Sequence, residues 1–244
     1  MKNLKRVRVR TLIIIAAIVV VVVIFVVMKM NTLAENTPQN NETTMVQFIN
    51  VEATAIELRD IMGEESIFPQ LYEGYEQYQQ TGLPKGEAFA KAQEDMIERK
   101  SMYQAAVENG FSVTDVEVNT YIDQLLAEMK KGTDYSKVES VFAKTNITLE
   151  DTYRKNFTFY KEGLAIKNYT DNEYSQMQAN EATTDPDAYS KKFNELQKNA
   201  IASYKKTPDY NKLIKQINEM KPTIMNSDNI IEAAKKYVES GTSN

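Results

Sequence analysis

Leu12 to Met28 is an unbroken run of seventeen apolar residues, preceded by Lys2, Lys5, Arg6, Arg8 and Arg10 and by no acidic residue. No other feature constrains the chain as much. A buried core helix is not expected, because this all-round apolar stretch of Ile, Val and Ala has no polar face to show water and sits at an extreme terminus beside a charged cluster. At about 1.5 Å rise per residue, roughly 20 such residues cross a bilayer core. Residues 11–29 reach that length once Thr11 and a snorkelling Lys29 are included. The basic cluster holds residues 1–10 on the cytoplasmic side and sends the rest of the chain out. A cleaved secretory signal is the alternative. The run ends in Val26, Val27, Met28, Lys29 and Met30, which are bulky, and only a poor small-residue window exists near Leu33-Ala34. An uncleaved signal-anchor is therefore expected.

The whole chain carries −5, and residues 1–29 carry +6, which leaves −11 for residues 30–244. A domain that acidic is not expected to bind nucleic acid or anionic lipid through a broad basic face. Cysteine is absent, so there is no disulfide, thiol nucleophile, thiolate metal site or lipid-modified cysteine. Histidine is absent too, which removes the usual general base near neutral pH and the commonest metal ligand. No glycine-rich phosphate loop occurs. The Asn-x-Thr sequons at Asn41, Asn146, Asn156 and Asn168 are what an asparagine-rich chain generates by chance.

Residues 30–44 are Asn, Thr, Glu and Pro with little that is apolar, and read as a flexible tether. Met45 to Val51 reads as a short extended piece. From Ala53 on, the apolar period is helical. Helices are expected over 56–62, 67–80, 86–109, from Thr114 to Gly132, over 135–143 and from Thr148 through Leu164. Thr114 with Glu117, and Thr148 with Asp151, have capping-box spacing. The stripe Leu149, Tyr153, Phe157, Tyr160, Leu164 is the clearest in the chain. A polar gap at 170–186 is a candidate boundary. Beyond it, stripes such as Tyr189, Phe193, Leu196, Ala200, Tyr204 and Tyr210, Leu213, Ile217, Met220 predict further helices. Pro222 punctuates, and a last helix is expected from Ser227 to about Tyr237. The class is all-α, with residues 45–170 as the main helical domain and 171–244 as a C-terminal helical segment.

Chemistry is hard to find in this pattern. Glu64-Glu65 and Glu94-Asp95 are paired acids, but on polar helix faces they read as solvated charge. Ser66, Ser101 and Ser112 lie in no nucleophile motif. Lys100 interrupts an apolar stripe between Met96 and Tyr103, and snorkelling from a helix edge accounts for it. No catalytic, metal or cofactor residue is assigned. Fourteen tyrosines with no tryptophan are unusual. Tyr153 and Tyr160 read as core. Tyr72, Tyr75 and Tyr78, beside a Gly-Leu-Pro break, are the tyrosines for which a binding role is considered next to the core reading.

Gly110-Phe111-Ser112-Val113-Thr114-Asp115-Val116-Glu117-Val118, with Ile122 at the next apolar position, resembles a passage of SurA N-terminal-like domains. Lys91 to Lys100 resembles the long helix before that passage, and Thr145 to Tyr153 resembles the helix entry after it. The resemblance covers roughly residues 50–170. It implies an extracytoplasmic foldase family that includes the PrsA-type proteins of Gram-positive bacteria, which hold unfolded secreted chains in a helical cradle. The chain departs from those proteins in lacking the lipid-anchoring cysteine. It also lacks a recognisable parvulin-type isomerase domain, since the 75 residues after Tyr169 read as helices with one glycine and no histidine. The resemblance thus implies a cradle without a catalyst, and no catalytic residue carries over. The expected partner is unfolded or newly secreted polypeptide, with no residue yet assigned to gripping it. The rival expectation is a scaffold ectodomain that docks one folded partner in a bacterial envelope complex.

Overall fold

The computed structural model describes residues 40–132, 135–143, 147–180 and 188–240. Every regular element among the described residues is an α-helix. In chain order they are α1 (Asn40–Met62), α2 (Phe68–Gln80), α3 (Lys85–Glu108), α4 (Asp115–Lys131), α5 (Tyr135–Phe142), α6 (Leu149–Lys155), α7 (Phe157–Asn180), α8 (Ala188–Tyr204), α9 (Pro208–Asn226) and α10 (Ile230–Glu239). None of them is long and apolar enough to cross a membrane. The segment 11–29, expected to do so, lies outside the described residues.

Two apolar cores share the same long helices. One gathers Ile49 of α1, Met102 and Ala106 of α3, Val118, Ile122 and Leu125 of α4, Tyr153, Tyr160, and Leu196 and Ala200 of α8. The other gathers Leu58 of α1, Phe68, Leu71 and Tyr75 of α2, Phe89, Ala92 and Met96 of α3, Tyr204, and Leu213, Ile217 and Met220 of α9. α3 passes from the second core at Met96 to the first at Met102. It meets α2 closely because Gly74 has no side chain: a Cβ there would stand 3.3 Å from the Cβ of Ala92.

The helix starts follow local chemistry. The Thr114 hydroxyl accepts from the Glu117 backbone N–H at 3.3 Å, and the Glu117 carboxylate accepts from the Thr114 N–H at 2.7 Å. The same reciprocal box joins Thr148 and Asp151 at the start of α6. Both carboxyls are held below their usual range by these donors. Gly110 closes the turn after α3 with φ of +85°, a conformation that L side chains avoid.

Three expectations need correction. The piece Met45–Val51, read as extended, lies inside α1, and α1 already begins at Asn40, within the stretch read as tether. The helix was obscured because Glu52 and Arg59 occupy core-facing positions, which breaks the apolar period; both are buried, at 4% and 5% exposure. The first part of the polar gap is also helical, since α7 runs on to Asn180. Its polar residues are tied in place: Thr170 is buried, Lys167 pairs with Asp171 at 2.6 Å, and Tyr174 meets Tyr189 edge-on at 4.8 Å. Residues 181–187 lie outside the described ones. Finally, α9 continues through Pro222 to Asn226. That proline is exposed, while Met220 and Ile224 on either side of it are buried in or beside the second core, so packing overrides the lost hydrogen bond.

Candidate polypeptide-binding cleft

Where the two cores meet, the helices bring charge inside. The Asn156 amide donates to the Glu52 carboxyl at 2.5 Å and to the Thr152 carbonyl at 2.8 Å, which pins the break between α6 and α7 to the middle of α1. Arg59 donates to Glu73 at 3.3 Å, and Gln77 donates to the other oxygen of Glu73 at the same distance. Burial pushes the Glu52 carboxyl well above its usual range, and the neighbouring Glu73 charge raises it further against the pull of Arg59. Its hydrogen bond with Glu73 adds to the upward shift. Around the same layer, the Arg99 guanidinium stands 3.6 Å over the Phe159 ring, and Glu98 accepts from Gln197 at 2.6 Å.

Lys100 belongs to this layer as well, so the snorkelling reading is corrected. Its ammonium donates to Glu162 of α7 rather than reaching for bulk water, and the two side chains are 21% and 4% exposed. The second Glu162 oxygen is buried and has no hydrogen-bond partner among the described residues.

This ion pair sits in the wall of a cleft of about 740 Å³. α3 contributes Tyr103 and Val107, α7 contributes Phe157, and the end of α8 contributes Tyr204. Val107 is one of the few large apolar side chains left exposed, at 38%. Tyr204 is buried, and its hydroxyl is pushed up to about 12 by burial first, then by the charges of Asp209 and Glu162. The cleft wall therefore combines an exposed apolar patch with a neutral phenol. Carboxylates of Glu64, Glu65, Glu108, Asp115 and Asp209 stand around it. Lys161 also lines the cleft and is bonded to Asp115 at 2.8 Å. A second hollow of about 500 Å³ lies between α4, α5 and α6, beside Leu126, Phe142 and Leu149.

The singled-out residues fall as follows. Tyr153 and Tyr160 are core, stacked at 5.4 Å and 6°. Tyr72 and Tyr75 are buried in the second core, and Tyr78 donates to Asp95 at 2.7 Å. The pair Glu64-Glu65 reaches the cleft, whereas Glu94 pairs with Lys91 on the surface. Among the described residues, no group of three or more acidic side chains is gathered to hold a metal ion. The aromatic walls went unnoticed in the sequence because Tyr103 and Tyr204 sit on helices far apart in the chain. The surviving signal was the misplaced charge at Lys100.

The model of the SurA-like N-terminal domain matches residues 1–157, well over half of the chain. The protein belongs to the SurA-like N-terminal domain family. No curated protein and no solved structure matches it. The matched region contains α1 to α6 and the first residue of α7, so it supplies the Tyr103 and Val107 wall of the cleft. Beyond it, α7 supplies Lys161 and Glu162, the end of α8 supplies Tyr204, and the start of α9 supplies Asp209.

Proposed function

We propose that the protein is a membrane-anchored, extracytoplasmic holding chaperone that binds unfolded or newly secreted polypeptide without catalysing a reaction on it. The observation that carries this reading is the open cleft walled by Tyr103, Val107, Phe157 and Tyr204 in a chain of a chaperone-type family. A cleft of that size matches the ~300–1,000 Å³ typical of sites for small ligands. It has room for a short length of extended chain and not for a folded domain. Aromatic side chains with polar tips suit weak binding of varied sequences. The apolar run 11–29 is the proposed anchor, with residues 1–10 in the cytoplasm and the helical domain outside.

A light-scattering assay tests the central claim. The full chain in mild detergent should suppress aggregation of a chemically unfolded protein at a few-fold excess. The variant Tyr103→Ser/Val107→Ser should suppress it less while keeping its helical circular dichroism. No suppression by the unmodified chain would defeat the reading. Stoichiometric capture of one folded partner, with no affinity for unfolded chains, would favour a scaffold instead. Protease added to intact cells should degrade the helical domain; full protection would defeat the proposed orientation.

A further inference from the structure

The cleft carries a chemical bias beyond its apolar walls. Resting on the polypeptide-binding reading above, we propose that it selects cationic segments: stretches of unfolded chain in which lysine or arginine stands beside apolar residues.

Three observations converge. The first is the charge around the opening. Glu64, Glu65, Glu108 and Asp209 line the cleft, and among the described residues none of them is in an ion pair. Glu108 accepts only from the neutral Gln104 amide, at 2.6 Å. The two lysines lining the cleft offset them only in part. Lys161 is bonded to Asp115, and Lys100 to Glu162. The second observation lies in the wall. Glu162 is 3% exposed and lines the cleft, yet one of its carboxylate oxygens lacks a donor among the described residues. A buried carboxylate oxygen without a donor is costly, and a positive charge arriving in the adjoining cleft lowers that cost by its proximity. The third is the long-range field: residues 30–244 carry −11, which draws cations toward the domain before contact.

Surface acids alone would be solvated charge. Here they surround a concave aromatic surface, and that combination matches the two parts of a basic side chain. The aliphatic stem of lysine or arginine lies on Val107 and Phe157, and its charged end reaches the carboxylates. Aromatic faces at Tyr103 and Phe157 add a cation–π attraction for the same group.

The experiment uses the full chain in nanodiscs of zwitterionic phospholipid, so that no cation binds the lipid. Three fluorescein-labelled peptides of one apolar and aromatic sequence differ only at two positions, which hold Lys, Ser or Glu. Anisotropy titrations should show the Lys peptide binding about tenfold tighter than the Ser peptide, and the Ser peptide tighter than the Glu peptide. Raising the salt from 50 mM to 500 mM should shrink the preference. In Glu64→Gln/Glu65→Gln/Asp209→Asn, whose altered side chains are all exposed, the ratio of Lys-peptide to Ser-peptide affinity should fall to about twofold. Equal binding of the three peptides overturns the inference and leaves the polypeptide-binding reading intact. A lysine preference undiminished in the triple variant places cation recognition elsewhere and also overturns it. Binding of none of the peptides defeats the reading itself, and the inference with it.

Discussion

Replacing Lys100 with methionine isolates the energetics of the buried ion pair. Methionine is unbranched and one atom shorter than lysine, so it keeps most of the apolar stem and removes the charge and its donors. The Glu162 side chain, 4% exposed, is then left as an anion in the interior with neither oxygen bonded to a cation. Breaking a buried pair from one side costs about 3–5 kcal/mol. Lys100 is one-fifth exposed, and water reaching its former place offsets part of the loss, so a value near 3 kcal/mol is expected. Glu162→Gln leaves the cation, which can turn toward the cleft, and should cost about 1 kcal/mol. The double variant Lys100→Met/Glu162→Gln removes both charges with little change of volume and should lie within about 1 kcal/mol of the parent. The assay is urea unfolding of the full chain in detergent micelles, followed by far-ultraviolet circular dichroism, with all four members of the cycle compared. A Lys100→Met loss below about 0.5 kcal/mol, or a double variant as unstable as the sum of the singles, would refute the claim that the pair is desolvated.

Two further predictions concern the rest of the fold. The Glu52 carboxyl holds its proton more tightly folded than unfolded, so the stability it contributes is present below its solution value of 4.5 and is lost as pH rises through its folded value. Glu52→Gln keeps an acceptor for Asn156 and cannot ionise, so its melting temperature should exceed the parent's at pH 8 and approach it near pH 4; a constant difference across that range would contradict the assignment. Thr114→Ala deletes the hydroxyl that caps α4 and should cost about 1 kcal/mol in thermal unfolding, while Thr114→Ser should restore most of it.

The capping boxes, the glycine at the end of α3 and the apolar stripes of α4, α6 and α9 were all legible as sequence, because each depends on residues three or four apart on one helix. α1 was not. Its core-facing positions include Glu52 and Arg59, and a periodicity argument that scores only apolar residues stops where such charges begin. The cleft was legible only in fragments: Lys100 broke a stripe, and Glu64-Glu65 stood out as a pair, but nothing local joined them to Tyr204 or Asp209.

By itself the sequence determined the class of the molecule: an apolar run with a basic flank, a family signature, helices with their own start signals, and neither histidine nor cysteine to work with. Those are properties of composition and of neighbours along the chain. Tertiary structure decided which charges went inside. Whether a lysine snorkels or is buried, as Lys100 is, depends on a carboxylate arriving from α7, 62 residues later. It decided the cleft for the same reason, since a concave surface is made of gaps between helices, and those gaps exist only once α3, α7 and α8 have packed.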